Sequence, residues 1–153
     1  QTTQQVETTW MLADDADVLD KVNRADLEWD ANYARLSRVE RKLADKLMPI
    51  MVDIIGWYLE NKTLEDLRGA VANDENVVEI FRRDHPKEYY ALRSLTQLRK
   101  LVPRSRRRML RPEDVLATVR RLNPEAFQKL LQVPGALAWA YRNVEKVLRR
   151  FVW

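Results

Sequence analysis

The chain of 153 residues contains no cysteine, so disulfides and thiolate metal sites are excluded and the redox compartment is left undetermined. Histidine is nearly as scarce: His85 alone would have to carry any histidine-based zinc site or Ser/His/Asp triad, and its place before Pro86 reads as a helix cap. Three isolated glycines, Gly56, Gly69 and Gly135, rule out a glycine-rich loop that cradles phosphates. No apolar run approaches the ~20 residues of a membrane span, the best candidate, residues 50–59, being broken by Asp53. The carboxylate pairs Asp14/Asp15, Glu65/Asp66 and Glu113/Asp114 each fall where a helix is expected to begin, where they face its positive end. No catalytic constellation emerges, so the expectation is a protein that is not an enzyme and holds no cofactor or metal.

What is present is helix-forming. Ala, Leu, Glu and Arg abound, with six prolines to punctuate them, which predicts an all-α chain with short connections. Val22, Trp29, Leu36, Leu43, Ile50 and Trp57 recur at every seventh position. A second apolar column, Val18, Ala25, Val39, Tyr33, Leu47 and Ile54, drifts across the first as a straight helix of 3.6 residues per turn requires. The pattern predicts one long amphipathic helix of about 50 Å, or two collinear ones, with a kink or break between Asp45 and Pro49 where proline removes a donor. Such a stripe suits core packing in a bundle; its first half, through Val39, also suits an arm that buries Trp and Tyr against another molecule. The expected layout is an extended tail over 1–13, a helical arm over 14–48 and a helix-bundle body over 49–153, a long N-terminal arm plus a C-terminal bundle.

Within the body, Thr63 and Asp66 form a capping box for a short helix to about Ala72, and residues 77–84 form another. Pro86, Pro112 and Pro124 each suit a first helical turn, and Pro134-Gly135 is a break before the last helix. The aromatics Trp10, Trp29, Trp57, Trp139, Phe151 and Trp153 are candidates for burial against neighbouring subunits. A chain that opens on Gln1 is expected from a cleaved leader or a trimmed start.

Charge is uneven. Residues 1–90 hold 12 Lys/Arg against 19 Asp/Glu, a net of −7, whereas residues 91–153 hold 15 against 4, a net of +11. The two parts must meet each other or an anionic partner. Arginines outnumber lysines 19 to 8; guanidinium forks bind phosphate bidentately, and the same bias fits a heat-adapted composition built on ion pairs. Arg24, Arg35, Arg38, Arg41 and Lys42 lie along one flank of the long helix. Arg104, Arg106, Arg107, Arg108 and Arg111 crowd a connection bounded by Pro103 and Pro112, where phosphates would relieve their repulsion. Pairing with acids of the same or a neighbouring chain, or a nuclear-import signal, would answer the same charge.

A cysteine-free all-helical chain of this size, with a polar tail, a long helix flanked by Arg24 to Lys42 and a helical C-terminal body, resembles the major capsid proteins of filamentous and rod-shaped archaeal viruses. The resemblance implies a structural subunit that coats double-stranded DNA without reading its sequence, in a virion filament assembled in the host cytoplasm. It also implies that an arm wraps the duplex, held in the A form, and that copies of the chain, with a paralogous subunit in the filamentous members, pack side by side. The acidic start, eight Asp/Glu over residues 1–34 against Lys21 and Arg24, leaves open which basic surface would touch the DNA. Two other functions fit the same residues: a helical regulatory or replication-accessory protein with a preferred site, though no clear helix-turn-helix is present, and a protein-only adaptor whose arginines meet an acidic partner.

Overall fold

A computed structural model describes residues 11–153. Every regular element among them is helical: α1 (Ala13–Ala34), α2 (Arg38–Glu60), α3 (Leu64–Ala72), α4 (Val77–Asp84), α5 (Pro86–Arg99), a 3-10 segment (Arg104–Met109), α6 (Pro112–Leu122), α7 (Pro124–Leu131) and α8 (Ala136–Phe151). The tail expected over residues 1–10, with Trp10, lies outside the described residues.

The long stripe is interrupted, but not at the proline. The chain breaks at residues 35–37, where the Ser37 hydroxyl accepts from the Glu40 amide and the Glu40 carboxylate accepts from the Ser37 amide, a complete capping box. Pro49 lies inside α2, and it and Asp45 are exposed, so the carbonyl left without a donor belongs to the solvent side of the helix. Nor are α1 and α2 collinear. The Tyr33 hydroxyl donates to Asp45 at 2.8 Å, whereas twelve residues of straight helix would separate the two by about 18 Å.

The centre of the molecule is α6. Val115, Leu116, Ala117, Thr118 and Val119 are all buried in succession, and α6 packs against α1, α2, α7 and α8. Around it the heptad stripe becomes core: Val22, Ala25, Leu43, Leu47 and Ile54 are buried, with Trp29, Ile50 and Trp57 half-buried at the margin. Residues 14–48 therefore lie against the bundle, α1 on α6 and α8, because each turn of α1 carries an apolar residue that the bundle removes from water.

One contact fixes the end of α8. Asp15, from the first turn of α1 and only 3% exposed, accepts from the backbone amides of Gly135 at 2.7 Å and Ala138 at 3.0 Å. It satisfies donors that α8 cannot pair internally, a capping role taken by a residue 120 positions away. Gly135 has φ 84°, a left-handed conformation that suits glycine at this turn. The expected Thr63–Asp66 capping box on α3 and the first-turn prolines Pro86, Pro112 and Pro124 are in place, with Asn76 and Asn123 as side-chain caps of α4 and α7. His85 holds the cap position of α5 without a side-chain cap bond and packs edge-on to Trp57 at 4.7 Å.

Candidate nucleic-acid interface

The arginine connection is a 3-10 segment, and its five guanidinium groups meet different fates. Arg106 forms a two-pronged bridge to Glu40, with Nε to Oε2 at 2.7 Å and Nη2 to Oε1 at 2.9 Å. Its Nη2 also donates to the Arg35 carbonyl at 3.2 Å. The Glu40 side chain is 4% exposed, and the Arg106 hydrogen bonds hold its carboxyl below the usual range. The same carboxylate completes the cap of α2, so one buried acid both starts a helix and anchors the segment to it. Arg111 is likewise committed: it forks onto Asp114 at 2.9 and 3.0 Å, and its own amide donates to that carboxylate. Arg107 donates Nε to the Val102 carbonyl, and Arg108 lies 4.4 Å from the Trp153 ring centroid. Arg104, Arg107, Arg108 and Trp153 together line a shallow hollow.

The flank of the long helix divides in the same way. Arg24 pairs with Asp20 at 3.1 Å on the exposed side of α1. Arg41 closes the end of α1, donating to the Tyr33 and Ala34 carbonyls while lying over the Tyr33 ring. Arg35, Arg38 and Lys42 are exposed at the start of α2. Because Arg106 binds Glu40 and the Arg35 carbonyl, the two basic sets, more than 60 residues apart in sequence, share one corner of the molecule. Among the described residues, Arg35, Arg38, Arg41, Lys42, Arg104, Arg107 and Arg108 have no carboxylate within ion-pair distance; of the ten candidates only Arg24, Arg106 and Arg111 do.

Elsewhere the two oppositely charged parts of the chain do meet. Arg120 and Arg121 face Asp26, Arg142 faces Asp74, and Arg150 faces Glu79. These exposed pairs are individually weak, but they consume part of the charge excess of residues 91–153. Among the charges left over, Arg104, Arg107 and Arg108 lie together in the 3-10 segment.

Two of the aromatic candidates require correction. Trp139 and Phe151, expected at a subunit interface, are 2% and 3% exposed inside the chain's own core. Trp139 donates its indole N–H to the Glu75 carbonyl and packs on Tyr58, since a ring of that size is best removed from water when its one donor finds a partner. Trp57 is half-buried against Phe81 and His85, and Trp29 against Tyr33. Trp153 is half-buried with its indole N–H on the Leu110 carbonyl. The exposed large apolar residues are instead Leu12, Leu27, Tyr90, Leu101 and Leu122.

Reading the sequence missed Glu40 as the partner of Arg106. The signal available was Ser37 followed three residues later by Glu40, a helix start inside the apparent long helix. Compared with protein-family models, curated proteins and solved structures, the chain matches none.

Proposed function

We propose that the protein is a structural subunit that binds the phosphate backbone of double-stranded DNA without sequence preference and packs with copies of itself, and with a paralogous subunit where one exists, as the coat of a helical virion. The observation that carries the proposal is the Arg106–Glu40 bridge, which ties the segment of Arg104, Arg107 and Arg108 to the helix start that bears Arg35, Arg38 and Lys42, all six without a carboxylate within ion-pair distance among the described residues. Grouped cations of this kind repel one another, and an extended polyanion that displaces their counterions relieves the repulsion. Arginine forks on a short rigid segment contact phosphate oxygens and position a duplex; they do not read bases. Since α1 packs on its own bundle, the duplex contact falls to this corner and not to a projecting α1 arm.

Titration of the full chain with a long mixed-sequence duplex at several salt concentrations tests this, with electron microscopy of the product. The expected result is tight binding at low salt, a steep fall in affinity as salt rises, indifference to sequence, and filaments. Strong preference for one short site would replace the proposal with a regulatory protein. Absence of duplex binding at low salt, with capture of an acidic protein segment by the same corner, would replace it with an adaptor.

A further inference from the structure

A second basic cluster lies away from the segment that Arg106 anchors. Between α4, α5 and α8 a cleft of about 570 Å³ is lined by Arg82, Arg93 and Arg150 with one carboxylate, Glu79, and by Tyr89. Glu79 holds two of the three guanidinium groups in place, Arg82 at 2.8 Å and Arg150 at 3.0 Å, and hydrogen bonding chiefly from Arg82 keeps its carboxyl below the usual range. Arg150 is also seated over the Tyr89 and Phe151 rings. Arg93 has no carboxylate within ion-pair distance among the described residues and lies over the Tyr90 ring. With Glu79 ionised, three guanidinium groups against one carboxylate leave two positive charges uncompensated in a concave site.

The aromatic wall is part of the core: Tyr89 is 5% exposed and packs edge-on to Phe151, and its hydroxyl is buried and not open to the cleft.

We infer that the cleft between α4, α5 and α8 binds a small molecule through a phosphate monoester, with Arg82, Arg93 and Arg150 as its cationic cradle. A terminal phosphate carries close to two negative charges near neutral pH and three strong acceptor oxygens, which matches the uncompensated charge. A phosphodiester link of a polynucleotide carries one. Arg82 and Arg150 are held by Glu79 before the ligand arrives, so Arg93 is the group free to turn onto it, and forked guanidinium bonds to phosphate are short and directional.

The test is an NMR titration of the full chain with inorganic phosphate at fixed ionic strength, following the Arg93 Nε–H resonance, with chloride as control and duplex binding measured in parallel. Saturable one-to-one shifts are expected in the wild type. Arg93→Gln should weaken phosphate binding by about tenfold through loss of a charge-assisted fork. Tyr89→Phe should leave phosphate binding unchanged, since the hydroxyl it deletes is not open to the cleft. Neither substitution should alter duplex affinity. Absence of saturation in the wild type, or wild-type phosphate affinity in Arg93→Gln, would overturn the inference. So would an equal loss of duplex and phosphate binding in Arg93→Gln, which would make the cleft part of a polynucleotide track. The triple replacement Arg104→Gln, Arg107→Gln, Arg108→Gln separates the two proposals: it should reduce duplex binding and leave the phosphate titration unchanged.

Discussion

Two corners of this molecule are built on the same device, a buried carboxylate facing several donors, and they end in different chemistry. At the junction of α1 and α8, Asp15 accepts from two backbone amides, Gly135 and Ala138. Its donors are fixed parts of a helix end. At the junction of α2 and the 3-10 segment, Glu40 accepts from the Ser37 amide and from both prongs of Arg106, whose sequence neighbours Arg107 and Arg108 carry charges that no carboxylate among the described residues answers. The first junction holds the fold; the second holds the fold and displays charge. A buried acid is therefore no guide to function in this chain. The charge left over around it is.

Removing either acid should show the difference, and the larger effect belongs to the sealed junction. Asp15→Ala takes away the carboxylate that caps the N-terminal end of α8, and should lower unfolding free energy by about 3 kcal/mol, the scale of two bonds to a charged, buried acceptor. Urea denaturation measures this, and duplex affinity per folded molecule should stay as in the wild type. Glu40→Gln should cost about 2 kcal/mol, because Arg106 is part-exposed and water recovers some of its solvation. Here duplex affinity should fall as well, because the segment loses the bridge that seats it. If Glu40→Gln lowered stability and left duplex binding untouched, the two junctions would be equivalent and the corner would lose its assignment.

Acid should loosen the Glu40 junction by a smaller margin. The folded-state pKa of Glu40 is depressed by Arg106, below the ordinary value of 4.5, so its contribution is fully present above that value and is lost as pH falls through the folded pKa. Stability of the wild type should thus decline below about pH 4.5, and Glu40→Gln should show a shallower decline when both are followed by thermal melts across pH 3 to 6. At the lower end of the scale, replacing Arg104, Arg107 and Arg108 with Gln should cost about 1 kcal/mol, the scale of the Arg107 bond to the Val102 carbonyl and the Arg108 contact with Trp153. It should flatten the logarithmic salt dependence of duplex binding by about 0.9 for each phosphate no longer neutralised. Arg24→Gln, which removes an exposed one-turn pair with Asp20, should leave the salt slope unaltered and stability within about 0.5 kcal/mol of wild type.

Much of the fold was legible because its signals are local. The capping box of Thr63 and Asp66, the first-turn prolines and the apolar spacing of α1 and α2 depend on residues within a turn or two of one another, and the helices start where these signals lie. The break at residues 35–37 was also local, yet the unbroken seven-residue recurrence of Leu36 and Leu43 masked it. Leu36 is buried within the break and Leu43 in α2 beyond it, so the same spacing is met by two helices joined by a turn as well as by one. The candidate arginines were visible as a list and not as a surface. Nothing in the order of residues distinguishes Arg106, which is bound to Glu40, from Arg107 next to it.

Periodicity, caps and proline positions fixed that the chain is helical and where most helices begin, because those choices are made by backbone donors and side chains a few bonds apart. Only the folded chain decided that α6 lies at the centre, that Trp139 and Phe151 face inward, and which arginines keep their charge free. Those outcomes depend on which distant carboxylate, carbonyl or apolar face comes within a few ångströms, as Glu40 does for Arg106 across 66 positions and Asp15 does for Gly135 across 120. Hydrogen bonds and ion pairs act over distances that sequence separation does not record.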